Sequence, residues 1–519
     1  MRILWSSNAP WVTTGYGMQA ATAMDWIRRL GHDFGMFAFW GLYGAKVDLG
    51  DVPVFPNDAG DYGIRNSKMW YDNFKADLLI THVDVWVLGG LPLDINWVPR
   101  LPIDHYPAPP AVIDVLKRHS GIRHIIVESK YGQRMLAEQG IEATYIPASI
   151  DTNIYKPLPE KRKIGRERYG WQDKFVIGMV ATNHEERKNW NVALKAVKVL
   201  EDNHKGKIIF YMHTDLQHPR GINLQLMRES LGMTEYTFVP SREELSLGIE
   251  KPVLANAYNV MDVFLLPTKG EGFGVPIVEA QACGIPVITT KCTSQEELIG
   301  GGYFIEKLEP FWTHQNAWQF QCSTAEVVDK LEEAYKDWEN GSLEERKVLA
   351  RQKALEYDDE KVFTELWKPT LELIEKKIKA PRNGEGIQPW RLAFIPPSIV
   401  PRKVLDVGCG TTLPYKKVLE RLGEYVGIDT RPAEGVTVCD CHDLSRWGDG
   451  EFGFVWMSEV LEHLDNPAKA LAEAKRVGVH GVCLFSTPKN AFFKGDPDHR
   501  VVTDVPYTEM ATGDGCVIW

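Results

Sequence analysis

Cysteine is missing from the first 282 residues, and the eight cysteines that follow are scattered. This excludes a disulfide-stapled secreted scaffold and fits a reducing compartment. Long apolar runs are missing too, since nothing approaches the roughly 20 residues that a transmembrane helix needs. A candidate strand, Arg2–Ser6, opens the chain and leaves no room for a signal peptide. A soluble cytoplasmic protein is expected. Positive charge is scarce: 59 Lys and Arg stand against 70 Asp and Glu, a net charge of −11. Composition therefore gives no electrostatic reason to expect nucleic acid or anionic membrane as partner, although a local basic groove stays open. No Asp-x-Asp pair occurs before residue 380, so no carboxylate pair of that spacing offers itself there to a metal ion.

What is present is organised around Pro267–Ala280. The apolar run Val263–Leu266 predicts a buried parallel strand, Val275–Cys283 a helix stopped by Gly284, and Pro286–Thr290 a second strand. Glu271 then falls on a loop at the carboxyl end of a strand, where open α/β sheets bind ligands. Glu279 falls on the helix behind it. Gly270, Gly272 and Gly274 let backbone amides approach a ligand. The helix start adds a positive dipole end suited to phosphate. A carboxylate accepts two hydrogen bonds from vicinal sugar hydroxyls.

In this setting the Glu-x7-Glu spacing resembles the donor-site signature of the retaining glycosyltransferases of family 4, which have the GT-B fold. The resemblance implies two Rossmann-like domains, residues 1–160 and 161–380, with a nucleotide-diphosphate sugar as donor. It places Glu271, Glu279, Gly272, Phe273 and Gly274 at the donor. The first βα unit, with Gly15 and Gly17 in its turn, corresponds to the loop that lies against the donor phosphates. Pro-rich residues 98–110 read as a stiff loop. Asp104 and His105 in its middle correspond to the position facing the donor sugar, and His82 competes for that role. Tyr145–Pro157 resembles the segment that closes the first domain, with Ser149 in place of a glycine.

Phe175–Ala181 predicts the strand that opens the second domain, followed by the basic turn Arg187-Lys188. Cations there can hold a diphosphate without metal. The family usually has an arginine where Asn183 stands, so the phosphate role passes to Lys188 and Arg187. Lys361–Lys379 reads as a long helix interrupted at Pro369. In the family such a helix crosses back onto the first domain.

A linker at 381–390 leads to a third α/β domain, 391–519. Lys403–Gly410 is a strand ending in a glycine turn, and Asp429 ends the strand Tyr425–Ile428 nineteen residues after Gly410. With Asp440 and Ser458–Leu464 the set resembles class I S-adenosylmethionine-dependent methyltransferases. That resemblance sets Asp406, Gly408 and Gly410 beside the methionine part, Asp429 at the ribose and Asp440 at the adenine. Thr412 replaces the third glycine of the family. The chain ends where a sixth strand is expected to begin, which predicts an incomplete closing hairpin. Cys439, Cys441 and His442 lack the second ligand pair of a structural zinc site, so no metal is expected.

Taken together, the expected function is a retaining sugar transferase with an appended methyltransferase-like module. Its acceptor is a glycan, a lipid or a modified nucleic acid. The alternatives are a viral-type DNA-base glycosyltransferase, and a protein whose last domain only binds or scaffolds.

Overall fold

Apolar strands alternate with amphipathic helices along most of the chain, and this pattern buries parallel sheets on both faces. The computed structural model describes residues 1–119, 121–184, 186–379, 403–410, 413, 415–487, 502, 505–509 and 514–519. The expected linker 381–390 and Thr412 lie outside the described residues. The chain forms two compact units, Met1–Lys379 and Ala380–Trp519.

The first unit holds two large sheets. The first sheet contains β1 (Arg2–Asn8), β2 (Asp33–Trp40), β3 (Val47–Leu49), β4 (Val52–Phe55), β5 (Leu78–His82), β6 (Trp97–Leu101), β7 (Ile126–Val127) and β8 (Thr144–Tyr145). Their order is β3-β4-β2-β1-β5-β6-β7-β8. The second contains β9 (Phe175–Val180), β10 (Ile208–His213), β11 (Thr237–Phe238), β12 (Val263–Leu266), β13 (Val287–Thr290) and β14 (Tyr303–Ile305), in the order β11-β10-β9-β12-β13-β14. Every pairing in this second sheet is parallel. An antiparallel hairpin follows, β15 (Leu308–Trp312) with β16 (Trp318–Cys322).

Two sequence expectations need correction here. Residues 97–101 are a fully buried strand within the sheet, not part of an irregular loop. Trp97 turns its N–H and C=O to the β7 side, bonding Gly121 O and Arg123 N at 2.8 Å each. Period-two alternation turns Pro99 the same way. Because β7 begins only at Ile126, the missing N–H of Pro99 removes no ladder bond. The sequence also offers Arg123–Val127 as a strand, and the same late start shortens it to two residues, Ile126–Val127.

The C-terminal helical stretch runs through Asp359–Val362, a π turn at Phe363–Trp367, and Lys368–Lys379. The wide turn lets Pro369 enter the first turn of the following helix, where its missing N–H does no harm. Val362, Phe363, Trp367, Leu371 and Ile374 then pack into the same core as Ile3, Trp5 and Ile27.

The second unit contains β17 (Lys403–Val407), β18 (Glu424–Asp429), β19 (Val436–Val438), β20 (Phe454–Ser458), β21 (Gly481–Ser486), β22 (Thr508–Glu509) and β23 (Asp514–Ile518). Their order is β19-β18-β17-β20-β21-β23-β22, seven strands among the described residues. The edge hairpin is present: β23 pairs antiparallel with both β21 and β22. The expectation of an incomplete hairpin is thus wrong. A two-residue strand carries no apolar run to announce it, and Gly515–Ile518 belongs to the strand after it.

Candidate active site

Loops at the carboxyl ends of β6, β9 and β12 meet at one cluster. From β12, Pro267–Gly274 carries Glu271, whose backbone N–H donates to Thr293 Oγ1 at 2.9 Å. Gly274, at φ +107°, turns the chain into the helix Val275–Ala282, with Pro276 in its first turn. From β9 comes the turn holding Arg187 and Lys188. Lys188 Nζ donates to both carboxylate oxygens of Glu271, at 2.6 and 2.8 Å. Arg187 Nη1 donates to Glu271 Oε2 at 3.0 Å and to Gly270 O at 2.5 Å. Asp104, on the loop after β6, lies 3.8 Å from the same Arg187 nitrogen. Its other oxygen is 2.7 Å from His105 Nδ1.

The cluster is largely buried, so its charges act at low dielectric. Burial opposes ionisation of Glu271, but Arg187 and Lys188 outweigh it and hold the carboxyl below its ordinary range. Burial and the neighbouring Arg187 push the Lys188 ammonium down to about 8. Asp104 is also held low: burial works against it, while the His105 hydrogen bond and the Arg187 charge prevail. Asp84 shows the opposite sign, raised to about 6 by burial and by Asp104. Its Oδ2 accepts from Tyr16 Oη at 3.3 Å.

The structure thus brings together five of the residues singled out in the sequence: Glu271, Lys188, Arg187, Asp104 and His105. Glu279 stands apart from them. It is buried on its helix, with Oε2 accepting from Tyr258 Oη at 2.9 Å. Among the described residues Oε1 makes no hydrogen bond of standard geometry, although the Tyr155 hydroxyl bears on the same carboxylate. Burial raises its pKa. Phe273 packs edge-on against Tyr357. Gly15 and Gly17 begin the helix Gly15–Arg29, capped by Thr14, which accepts from the Gly17 N–H at 3.1 Å.

His82 is excluded from this cluster by its own partners. It bonds Glu128 Oε1 at 2.7 Å and lies 3.1 Å from Arg100 Nη1. Burial and Arg100 lower its pKa to about 4. Asn183, standing where an arginine was expected, pins the 215–222 loop by bonding Asp215 O and Ile222 O and N. Tyr16, Asp84, Tyr258 and Thr293 were not singled out in the sequence. Single polar residues in long-range contact leave no local spacing to detect.

The glycines carry a contact the sequence did not predict. A Cβ on Gly272 would lie 2.1 Å from Pro102 Cβ, and one on Gly270 2.5 Å from Asp104 O. Both positions are glycine because the loop after β6 presses against them.

In the second unit, Gly408 and Gly410 take positive φ, +71° and +65°. The Gly410 N–H donates to Asp429 Oδ2 at 3.1 Å, and Asp429 Oδ1 accepts from the backbone N–H and Nε of Arg431 at 3.0 Å each. Asp406 is buried and accepts from Tyr425 Oη at 2.7 Å. Asp440 is exposed, its Oδ1 bonded to the His442 N–H and ring. It follows Cys439, whose N–H donates to Asp429 O at 3.0 Å. A glycine turn beside a carboxylate at the end of the neighbouring strand fits an adenosyl cofactor. Asp440, Cys441 and His442 bring ligand atoms within 4.8 Å of one another. Among the described residues no fourth ligand joins them, which falls short of a closed structural site.

Comparison with known proteins agrees with this division. Residues 174–336 match the family described as "Glycosyl transferases group 1", and residues 405–485 match a methyltransferase domain family. The GDP-mannose-dependent alpha-(1-6)-phosphatidylinositol monomannoside mannosyltransferase of Mycolicibacterium smegmatis is 27% identical over 165 residues, covering 30% of this chain and 41% of that protein. The D-inositol 3-phosphate glycosyltransferase of Corynebacterium jeikeium is 30% identical over 178 residues, covering 32% and 40%. The matched region therefore spans less than half the length of these relatives.

Among solved structures, sucrose-phosphate synthase from Thermosynechococcus elongatus superposes with a TM-score of 0.58 at 13% identity, covering 72% of this chain and 98% of that one. Anabaena HepE in complex with UDP and glucose gives 0.54 at 15% identity, covering 72% and 100%. The first unit has the GT-B fold. Within it lies a group 1 glycosyltransferase domain, and the second unit carries a methyltransferase domain. Among the described residues no helix is long and apolar enough to cross a membrane.

Proposed function

We propose that the first unit transfers a sugar from a nucleotide-diphosphate sugar to an acceptor hydroxyl with retention of anomeric configuration. One observation carries this reading: Glu271, Lys188 and Arg187 meet Asp104 and His105 in a single partly buried cluster between two sheets. Lys188 and Arg187 take the diphosphate, whose charge grows as the anomeric C–O bond breaks. Glu271 orients them and holds sugar hydroxyls. Glu279 offers its carboxylate to a ribose hydroxyl. The amides of Gly272–Gly274 and the turn at Gly15–Gly17 border the donor phosphates, and Asp104 and His105 border the anomeric carbon. The acceptor oxygen bonds that carbon on the face the diphosphate leaves, and its proton passes to the departing phosphate oxygen.

Charge on the leaving group is met by these cations, so metal is not required. GDP-mannose and UDP-glucose are the first donors to test, since those nucleotides and sugars are bound or used by the relatives described. Release of nucleoside diphosphate should persist in EDTA. Activity that disappears in EDTA and returns with manganese refutes the metal-free reading.

We infer further that the second unit binds S-adenosylmethionine, which when bound supplies an activated methyl group. Asp429 takes the ribose, Asp406, Gly408 and Gly410 flank the methionine part, and Asp440 lies at the adenine edge. Calorimetry should show binding that Asp429→Ala abolishes. Unchanged affinity in a folded variant rejects the assignment.

A further inference from the structure

We propose that the hairpin formed by β15 and β16 carries a stacking platform for the distal sugar rings of an oligosaccharide acceptor. This rests on the reading of the first unit as a sugar transferase. The hairpin ties the two halves of the site together. Trp318 exchanges both backbone bonds with Tyr106, at 2.9 and 2.8 Å, and the Phe320 N–H donates to Lys269 O at 2.8 Å. Tyr106 directly follows His105, and Lys269 lies two residues before Glu271.

Register then places three rings in one row. Trp312 pairs with Trp318 across the hairpin, and Trp318 pairs with Tyr106 across an antiparallel bridge. Directly paired residues share a face, so the three side chains stand side by side across adjacent strands. With strands about 4.8 Å apart, the row extends about 10 Å, room for two pyranose rings. All three stay open to solvent: Trp312 is 51% exposed, Tyr106 48% and Trp318 36%. The two indoles sit edge to face at 4.7 Å.

The charge of the segment selects the occupant. Leu308–Cys322 contains no lysine or arginine and a single acidic residue, Glu309. A stacking surface for nucleic acid needs a basic groove along the backbone, and an interfacial membrane anchor draws on basic side chains. The segment itself supplies neither: the lysine packed on it, Lys269, lies over Phe311, which alternates to the face opposite Trp312. Neutral sugar rings offer apolar C–H faces to the aromatic rings and hydroxyls to the polar tip His314-Gln315-Asn316. The row starts at Tyr106, next to His105, and runs outward along the hairpin, so on this proposal it holds sugars beyond the accepting one.

The test uses the full chain in the presence of GDP or UDP. Saturation-transfer NMR and calorimetry are run with linear trisaccharides of α-mannose, α-glucose and β-N-acetylglucosamine, and with the matching monosaccharides. At least one trisaccharide should bind, and the Trp312→Ala/Trp318→Ala double variant should weaken it tenfold or more. Monosaccharide and nucleotide affinities should change less than twofold, and the latter reports that the variant is folded. Trp312→Phe/Trp318→Phe should restore most of the loss. Nucleotide binding without any trisaccharide binding overturns the proposal, as does trisaccharide binding indifferent to the double substitution. Failure to bind nucleotide overturns the parent reading, and this one with it. Tryptophan-dependent partitioning onto phosphatidylcholine–phosphatidylglycerol vesicles without sugar binding assigns the face to a membrane and also overturns it.

Discussion

Gly270–Gly274 and Gly408–Gly410 each follow a buried strand and each stand beside a carboxylate, yet glycine answers a different need in the two places. In the first turn Gly270 and Gly272 leave room for Asp104 and Pro102 of another loop, and only Gly274 needs positive φ. In the second, both glycines bend the backbone into the left-handed region. The carboxylates differ as well. Glu271 is fixed by two cations, one of them Lys188 with a side chain 13% exposed. Asp429 is held by the glycine turn itself and by Arg431, whose side chain is 60% exposed. One turn is braced by protein contacts, the other by its own conformation.

The sharpest way to break this contrast is to remove a cation from each. Lys188→Ala should lower turnover by about 10²–10³ and donor affinity by less, because leaving-group charge peaks in the transition state. Arg431→Ala removes an exposed partner worth about 0–1 kcal/mol, so S-adenosylmethionine affinity should change by no more than a few-fold. Steady-state kinetics and calorimetry read the two effects. Turnover of the unaltered protein should also fall as pH rises through about 8, where Lys188 loses its proton. A profile flat from pH 7 to 9 contradicts the assigned role.

Next in size is Glu279→Ala. Charged hydrogen bonds of this kind contribute roughly 1.5–3 kcal/mol, about 10- to 150-fold in donor affinity. Titration with GDP-mannose and UDP-glucose measures it, and equal affinities in a folded variant refute the ribose contact.

The glycines give a smaller, more diagnostic pair. Gly272→Ala overpacks against Pro102 and should cost about 1–3 kcal/mol in thermal denaturation. Adding Pro102→Gly should recover most of it. Gly408→Ala meets Val460 at 2.4 Å and also forces a side chain to φ +71°. Adding Val460→Ala should recover less, since the left-handed strain of about 1–2 kcal/mol stays. Equal rescue in both pairs would erase the distinction.

The remaining test is a pH slope in the second unit. Burial and the charge of Asp429 raise Asp406 to about 7 from the ordinary 3.8. The folded state therefore keeps a proton that the unfolded chain releases, so stability falls as pH rises from about 4 to about 7 and is level above. Asp406→Asn should flatten the slope in melts across that window.

Much of this was legible in the sequence because it is local. Val263–Leu266 and Phe175–Val180 are continuous apolar runs, and the loops after them carry Glu271, Arg187 and Lys188 at fixed offsets. Asp104 and His105 were found only through their family position, inside a stretch whose prolines hid the strand Trp97–Leu101. What stayed illegible depends on distant parts of the chain. Tyr258 meets Glu279, Tyr16 meets Asp84, and Pro102 fills the space over Gly272, none with a sequence spacing that announces it. The hairpin Leu308–Cys322 mixes aromatic, proline and polar residues without clean alternation, so its pairing partner in Tyr106 could not be read.

The helix Lys368–Lys379 and the π turn before it complete a core begun by Ile3 and Trp5. On a ribosome adding roughly 5–20 residues per second, more than 350 residues separate the first of these side chains from the last, an interval of roughly 20–70 s. During that time the face of β1 that bears Ile3 and Trp5 lacks its final cover. The second sheet, whose core draws on residues 148–357, has all of its side chains synthesised before that cover arrives. A chain truncated after Val362 and released from the ribosome should therefore expose an apolar groove on the amino-terminal half alone, the surface on which a chaperone would act.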